Sequence, residues 1–279
     1  MSQKKPLQFG GHSLVWAGDW SPKNARFAAS SASKAGYDFI EILVAEPEKI
    51  DVAMTKDLLQ EFNLGASGCF VLNAKTDISS TDKSIVKAGE DLFRSAIDKV
   101  AAIGGIELDG PMASSLQPYD QPATKEGRAN SVAVMKRMAD YAAGKGVNIN
   151  IEIVNRYESN LMNTAVEGLQ YLQEVDKPNV YLHLDTYHMN IEENGMVDGV
   201  LEAGDRLGYV HIGESHRGYL GTGNVNFAAF FNAFIMFGNR GRITPSPNGN
   251  KGHKPSSKHN STLWDSCKEH NAQTCAHHE

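Results

Sequence analysis

Ile149-Asn150-Ile151-Glu152-Ile153-Val154-Asn155-Arg156-Tyr157-Glu158 reads as a buried strand that ends in carboxylates. Two echoes follow it, Tyr181-Leu182-His183-Leu184-Asp185-Thr186-Tyr187-His188 and Gly208-Tyr209-Val210-His211-Ile212-Gly213-Glu214-Ser215-His216-Arg217. Each is an apolar run that delivers Glu, Asp or His at its C-terminal end. A carboxylate among isoleucines is expensive to bury unless it is paired or bound to a cation. In an α/β barrel the C-terminal ends of the strands converge on one face, and that face carries the chemistry. Glu, Asp and His converging there have the donor chemistry of a divalent-metal site, and no cysteine lies in these stretches.

Working outward, apolar strand-like runs alternate with longer amphipathic segments. Strands are expected within residues 7–16, 38–44, 64–72, 104–110, 147–154, 180–185 and 207–212, with an eighth beginning at 241–244. Helices are expected over 21–35, 52–62, from about 80 to 102, and over 124–143, 163–175, 197–203 and 227–237. Strict alternation predicts a parallel sheet. Eight such units predict closure into a (β/α)8 barrel. No phosphate-binding glycine fingerprint follows the first strand, which argues against an open doubly wound sheet.

The 279 residues suit one such domain, and 41% apolar content is enough for its core. A net charge of -6 gives no electrostatic case for nucleic acid or an anionic membrane. No run approaches the ~18 apolar residues of a membrane span. Met1 to Pro6 carries charge but no apolar stretch behind it, so no secretion signal is legible. Three cysteines, Cys69, Cys267 and Cys275, make no disulfide framework, and a reducing cytoplasm is the expected compartment.

The alternation stops after Thr244. Pro, Gly, Ser, Asn and Lys dominate residues 245–258, and no amphipathic helix is legible beyond the eighth strand. The expected organisation is therefore a barrel over 1–244 and a divergent, disordered tail over 245–279. Half of the ten histidines fall in the tail, at His253, His259, His270, His277 and His278. Cys267 and His270 have the spacing of helical ligands, but nothing upstream completes a zinc module. A barrel lacking its last helix should also expose apolar surface on the helices either side of the gap.

Taken together, the three strand ends resemble the ketose 3-epimerases (D-tagatose, D-psicose and L-ribulose 3-epimerases) of the xylose isomerase-like barrel superfamily. The matching segments are Ile151 to Asn160, His183 to Glu193 and Val210 to Gly218, with Gly221-Thr222-Gly223 and Asn226-Phe227 beyond them. The resemblance spans about residues 7 to 244. It implies a divalent ion, Mn2+, Co2+ or Mg2+, held by four side chains, three of them Glu152, Asp185 and His211. It implies that Glu158, His188 and Arg217 grip the sugar, a free ketose, at its C1–C3 end. It implies epimerisation at C3 through an enediolate, with Glu152 one of two acid/base glutamates, in a dimer or tetramer. The fourth ligand, and second glutamate, should close the eighth strand. There this chain reads Arg242-Ile243-Thr244-Pro245-Ser246, so Ser246 stands where the family carries Glu. A shifted reading frame, an altered splice end or a truncation would produce so abrupt a departure.

Two rival readings follow. One is another sugar isomerase of the superfamily, such as a hydroxypyruvate isomerase or an inosose dehydratase. The other is a non-catalytic remnant that binds metal or sugar without turnover. An apurinic endonuclease is disfavoured by the acidic charge. Among nearby residues, His183 points to the same side as Asp185 one layer deeper, and packing is its expected role. Glu41 and Glu46 read as solvated loop residues, and His12 and Trp16 as pocket or core. Glu214 and His216 stay open between supporting and surface roles. Lys75 and Arg217 alone do not make a phosphate site.

Overall fold

The computed structural model describes residues 7–236 and 242–246. The tail from residue 247, with its five histidines and two cysteines, lies outside the described residues.

Eight parallel strands close into a barrel in sequence order. The elements are β1 (Gln8–His12), α1 (Pro22–Lys34), β2 (Phe39–Leu43), α2 (Val52–Glu61), β3 (Gly65–Cys69), α3 (Lys83–Ala102), β4 (Glu107–Gly110), α4 (Lys125–Ala143), β5 (Asn148–Ile153), α5 (Ala165–Val175), β6 (Val180–Asp185), α6 (Thr186–Glu192), α7 (Met196–Ala203), β7 (Leu207–Ile212), α8 (Phe227–Met236) and β8 (Arg242–Pro245). Local signals fix where helices start. The Asp51, Asp82 and Thr124 side chains each cap a backbone N–H of the first turn of α2, α3 and α4. Thr164 and Glu167 form a reciprocal capping box on α5; such caps contribute about 1 kcal/mol each. The turn of helix α6 is not legible as a separate element in the sequence. It follows β6 without a loop, and the Asp185 side chain itself accepts the Tyr187 N–H of its first turn at 2.8 Å.

The barrel interior changes character along its axis. At the strand N-termini Arg242 lies over the Phe39 ring and donates to the Ala66 carbonyl at 2.9 Å. One layer up, the Tyr209 hydroxyl meets Ser67 at 3.1 Å and Thr244 at 2.8 Å. Toward the strand C-termini follow His183, Glu41, His211, Glu152 and Asp185, all buried. Pairing sets the neighbours: Glu152 stands opposite His183, Asp185 opposite His211, and His211 opposite Thr244. Leu-, Ile- and Val-rich outer faces of the same strands pack on the helices. On the two helices nearest β8 in the sequence cycle, Phe27 of α1 is 56% exposed and Met236 of α8 is 82% exposed. No helix among the described residues is long and apolar enough to cross a membrane.

Candidate active site

Three of the expected residues meet at the C-terminal mouth of the barrel. Glu152, Asp185 and His211 come from β5, β6 and β7, and each is at least nine-tenths buried. Glu152 Oε1 lies 3.9 Å from His211 Nδ1 and 3.6 Å from His188 Nε2. Burial pushes the Glu152 carboxyl up to about 8, with Asp185 and Glu41 adding to the rise and His211 opposing it. For Asp185 burial also disfavours charge, but Arg217, His188 and His211 outweigh it and hold the carboxyl below its usual range. Burial opposes protonation of His211, yet Glu41, Glu152 and Asp185 drive its imidazole up to about 9.

His188, Arg217 and Glu158 surround this cluster. His188 sits on α6, and its Nδ1 accepts from the Asn155 backbone N–H at 3.1 Å. Its Nε2 faces both Glu152 Oε1 and the Arg217 guanidinium, which can only donate. Burial keeps the ring neutral, its pKa lowered to about 4. Arg217 adopts a left-handed backbone at φ 58° and donates its own N–H to the Glu214 carbonyl at 2.9 Å. Its guanidinium lies over the Tyr187 ring at 3.6 Å, donates to Asp185 Oδ2 at 2.9 Å, and sits 3.1 Å from His188 Nε2. Glu158 is half-buried at the rim, its Oε1 accepting from the Asn155 amide at 3.3 Å.

Ser246 completes the ring of side chains. It is buried, its N–H bonds the Ile212 carbonyl at 2.9 Å, and its hydroxyl meets Nη1 of Arg217. The eighth strand thus delivers position 246 to the mouth beside Asp185 and Arg217, with a hydroxyl where the resemblance calls for a carboxylate.

The donor set suits a divalent cation. The ligand atoms of Glu152, Asp185 and His188 fall within 4.8 Å of one another, as do those of Glu152, His183 and His211. His211 Nδ1 is buried without a hydrogen-bond partner and is aimed at a carboxylate oxygen. A lone pair held against a carboxylate is repulsive unless a proton or a metal ion lies between them. Oxygen and imidazole donors match Mn2+, Co2+, Mg2+ or Zn2+ rather than a thiophilic ion.

Two residues read as surface or undecided turn out to be interior. Glu41 is fully buried in the middle of β2 and bonds His211 Nε2 at 2.8 Å, which overturns the solvated-loop reading. The signal was present: Ile40-Glu41-Ile42-Leu43 nearly repeats Ile151-Glu152-Ile153-Val154. Glu214 is fully buried too, its carboxylate accepting the N–H groups of Ser215 at 2.7 Å, Gly221 at 3.1 Å and Val225 at 3.4 Å. It folds the loop that presents Arg217. His183 packs as expected, and His216 caps a surface turn at Gly218.

A parallel barrel with acidic and imidazole groups gathered at the strand C-termini is the frame of an α/β-barrel enzyme. Residues 29–263 match the family described as xylose isomerase-like TIM barrel. The chain is 61% identical over 244 residues to an L-ribulose 3-epimerase of Methylomonas sp. (strain DH-1), covering 88% of this chain and 85% of that one. It is 44% identical over 237 residues to a ketose 3-epimerase of Arthrobacter globiformis, covering 85% and 82%. The crystal structure of a D-allulose 3-epimerase from Methylomonas sp. in complex with D-allulose superposes with a TM-score of 0.85 at 61% identity, over 86% of this chain and 83% of that one. The chain belongs to the xylose isomerase-like TIM-barrel family and, within it, to the ketose 3-epimerases, a family of isomerases.

Proposed function

We propose that this protein epimerises free ketoses at C3, using a divalent ion held by Glu152, Asp185 and His211. The observation that carries the reading is the buried, unpartnered Nδ1 of His211 3.9 Å from Glu152 Oε1, a pair that a proton or a cation reconciles, set among oxygen and imidazole donors that suit a divalent ion. Mn2+, Co2+ and Mg2+ all suit the donors. The relatives' named substrates, L-ribulose and D-allulose, define the class of sugar. The same resemblance supports a homo-oligomer, dimer or tetramer, in the cytoplasm. It also supports a barrel domain ending near Thr244 with a divergent tail after it.

A bound cation would polarise the C2 carbonyl and offset the charge that develops as C3 loses its proton. The remaining work falls to side chains. Glu152 removes the C3 proton as its carboxylate and returns it as its acid. The His188 ring and the Arg217 guanidinium meet sugar oxygens, and Glu158 accepts from a hydroxyl. Inversion needs a proton on the opposite face of C3. Ser246 occupies the position from which the family's second glutamate would act, and a hydroxyl is a poor base near pH 7.

That substitution favours a second reading, a chain that binds the ion and the ketose without net epimerisation. Incubation with Mn2+ and a panel of free ketoses in heavy water, with C3 followed by NMR, separates the two. Deuterium at C3 with appearance of the epimer supports the epimerase. Exchange without inversion assigns proton removal to Glu152 and the lost step to position 246. No exchange with Mn2+ bound supports the binding remnant.

A further inference from the structure

Glu41 belongs to neither the expected ligand set nor the expected sugar contacts, yet it is one of the most deeply buried carboxylates in the chain. It projects from β2, three strands round the barrel from β7, and its Oε2 lies 2.8 Å from His211 Nε2. A carboxylate accepts only, so Nε2 keeps its proton, and in the neutral ring that a cation would bind the lone pair is on Nδ1. Nδ1 has no partner in the protein and faces Glu152 Oε1 at 3.9 Å. The alternative tautomer would lose the Glu41 bond and turn an N–H toward the cluster.

A neighbouring group sharpens this assignment. His12, Glu41 and Cys69 bring ligand atoms within 4.8 Å of one another, which raises the question of a second metal centre. His12 answers it. Its Nδ1 accepts from the Leu14 backbone N–H at 3.1 Å, so its Nε2 carries the proton and offers no lone pair. Nε2 of His12 and Oε1 of Glu41 are both buried and without partners. His12 therefore offers Glu41 no lone pair to share around a cation, and the group is a support for His211 rather than a site of its own.

We infer that Glu41 is a positioning residue: it fixes the tautomer and ring orientation of His211 that a cation shared with Glu152 requires. The inference rests on the metal reading of the site. Carboxylate partners of metal-bound histidines change metal affinity about 10- to 100-fold when removed.

The test is Glu41→Gln, which keeps the volume and removes the charge, with Ser67→Ala as a control at similar depth that does not touch His211. Calorimetry of the metal-free proteins with Mn2+ should give binding about 10- to 100-fold weaker for Glu41→Gln and unchanged for Ser67→Ala. The metal-free melting temperature of Glu41→Gln should fall, since Glu41 also holds the His211 proton, whereas 1H–15N correlation of folded, Zn2+-loaded Glu41→Gln should show a mixture of His211 tautomers, a change that a purely structural role would not give. Should Glu41→Gln fail to fold, 1H–15N correlation of the Zn2+-loaded parent gives an independent reading. Nδ1 bound and Nε2 protonated on His211 is expected; the reverse overturns the inference. Equal Mn2+ affinity in parent and Glu41→Gln overturns it while leaving the metal reading intact. A parent that binds no divalent cation overturns both.

Discussion

Nη1 of Arg217 donates to Oδ2 of Asp185 at 2.9 Å, so an oxygen that faces the proposed metal position is also held by a guanidinium. Arg217 thus serves two masters, a carboxylate that the cation would use and the sugar that it would grip. Removing its charge should separate the two. Arg217→Gln is expected to bind Mn2+ at least as tightly as the parent, because a competing cation is gone. Loss of a charge-assisted hydrogen bond of about 1.5–3 kcal/mol should lower kcat/KM for ketoses roughly 10- to 100-fold. Calorimetry and initial rates read the two effects separately, and weaker Mn2+ binding would count against this placement of Arg217.

Position 246 gives the converse prediction. Ser246 is buried with its hydroxyl on Arg217, and its Cβ lies 3.2 Å from where a Cβ on Gly213 would stand. A carboxylate there could accept the Arg217 charge, release Asp185 and add an oxygen donor. Ser246→Glu should tighten Mn2+ binding at least tenfold, about 1.4 kcal/mol, and raise C3 exchange together with inversion. Unchanged affinity would mean that the side chain at 246 does not reach the cation.

The barrel and most of the site were legible because strand and helix periods differ and because charged residues inside apolar runs stand out. Glu152 and Asp185 are conspicuous for that reason. Glu41 carried the same mark, but with no resemblance motif around it the loop reading prevailed. The Asp185 cap that starts α6 directly from β6 was invisible, since the motif around it reads as strand end and substrate loop at once. Glu214 could not be ranked from sequence either: its role depends on four N–H groups, at Ser215, Gly221, Gly223 and Val225, that the loop wraps around it.

Protonation of the cluster fixes a pH dependence for the metal-free protein. Glu152 at about 8 and His211 at about 9 both exceed their unfolded values of 4.5 and 6.5, so the native chain holds extra protons and loses stability as pH rises. His12 and His188, both lowered to about 4, act in the opposite sense, but only below pH 6.5. These four groups together therefore give a loss of stability between pH 6.5 and 9. A cation replaces the same protons. Mn2+ affinity should rise across that window, with proton release visible as a buffer-dependent binding heat, and saturating Mn2+ should flatten the stability loss. An affinity that does not vary with pH would place the cation elsewhere.

His183 decides between the two groups of donors that share Glu152. Its ring packs edge-on against His211 at 4.2 Å and Tyr209 at 5.0 Å, is fully buried, and has no partner on either nitrogen. Burial, reinforced by the neighbouring histidines, holds its pKa well below the usual imidazole value, so the ring is neutral. An unbonded polar group in such a place adds a desolvation cost, and an apolar side chain of similar volume can be neutral or stabilising. His183→Leu should therefore melt within a few degrees of the parent or above it. Its Mn2+ affinity should stay within about threefold, well under the 1.4 kcal/mol that a tenfold change represents, because its place one layer below Asp185 suits packing rather than ligation. A tenfold or greater loss of Mn2+ binding in a folded His183→Leu protein would move the cation down the barrel, to Glu152, His183 and His211. Asp185 would then be left as a partner of Arg217 alone.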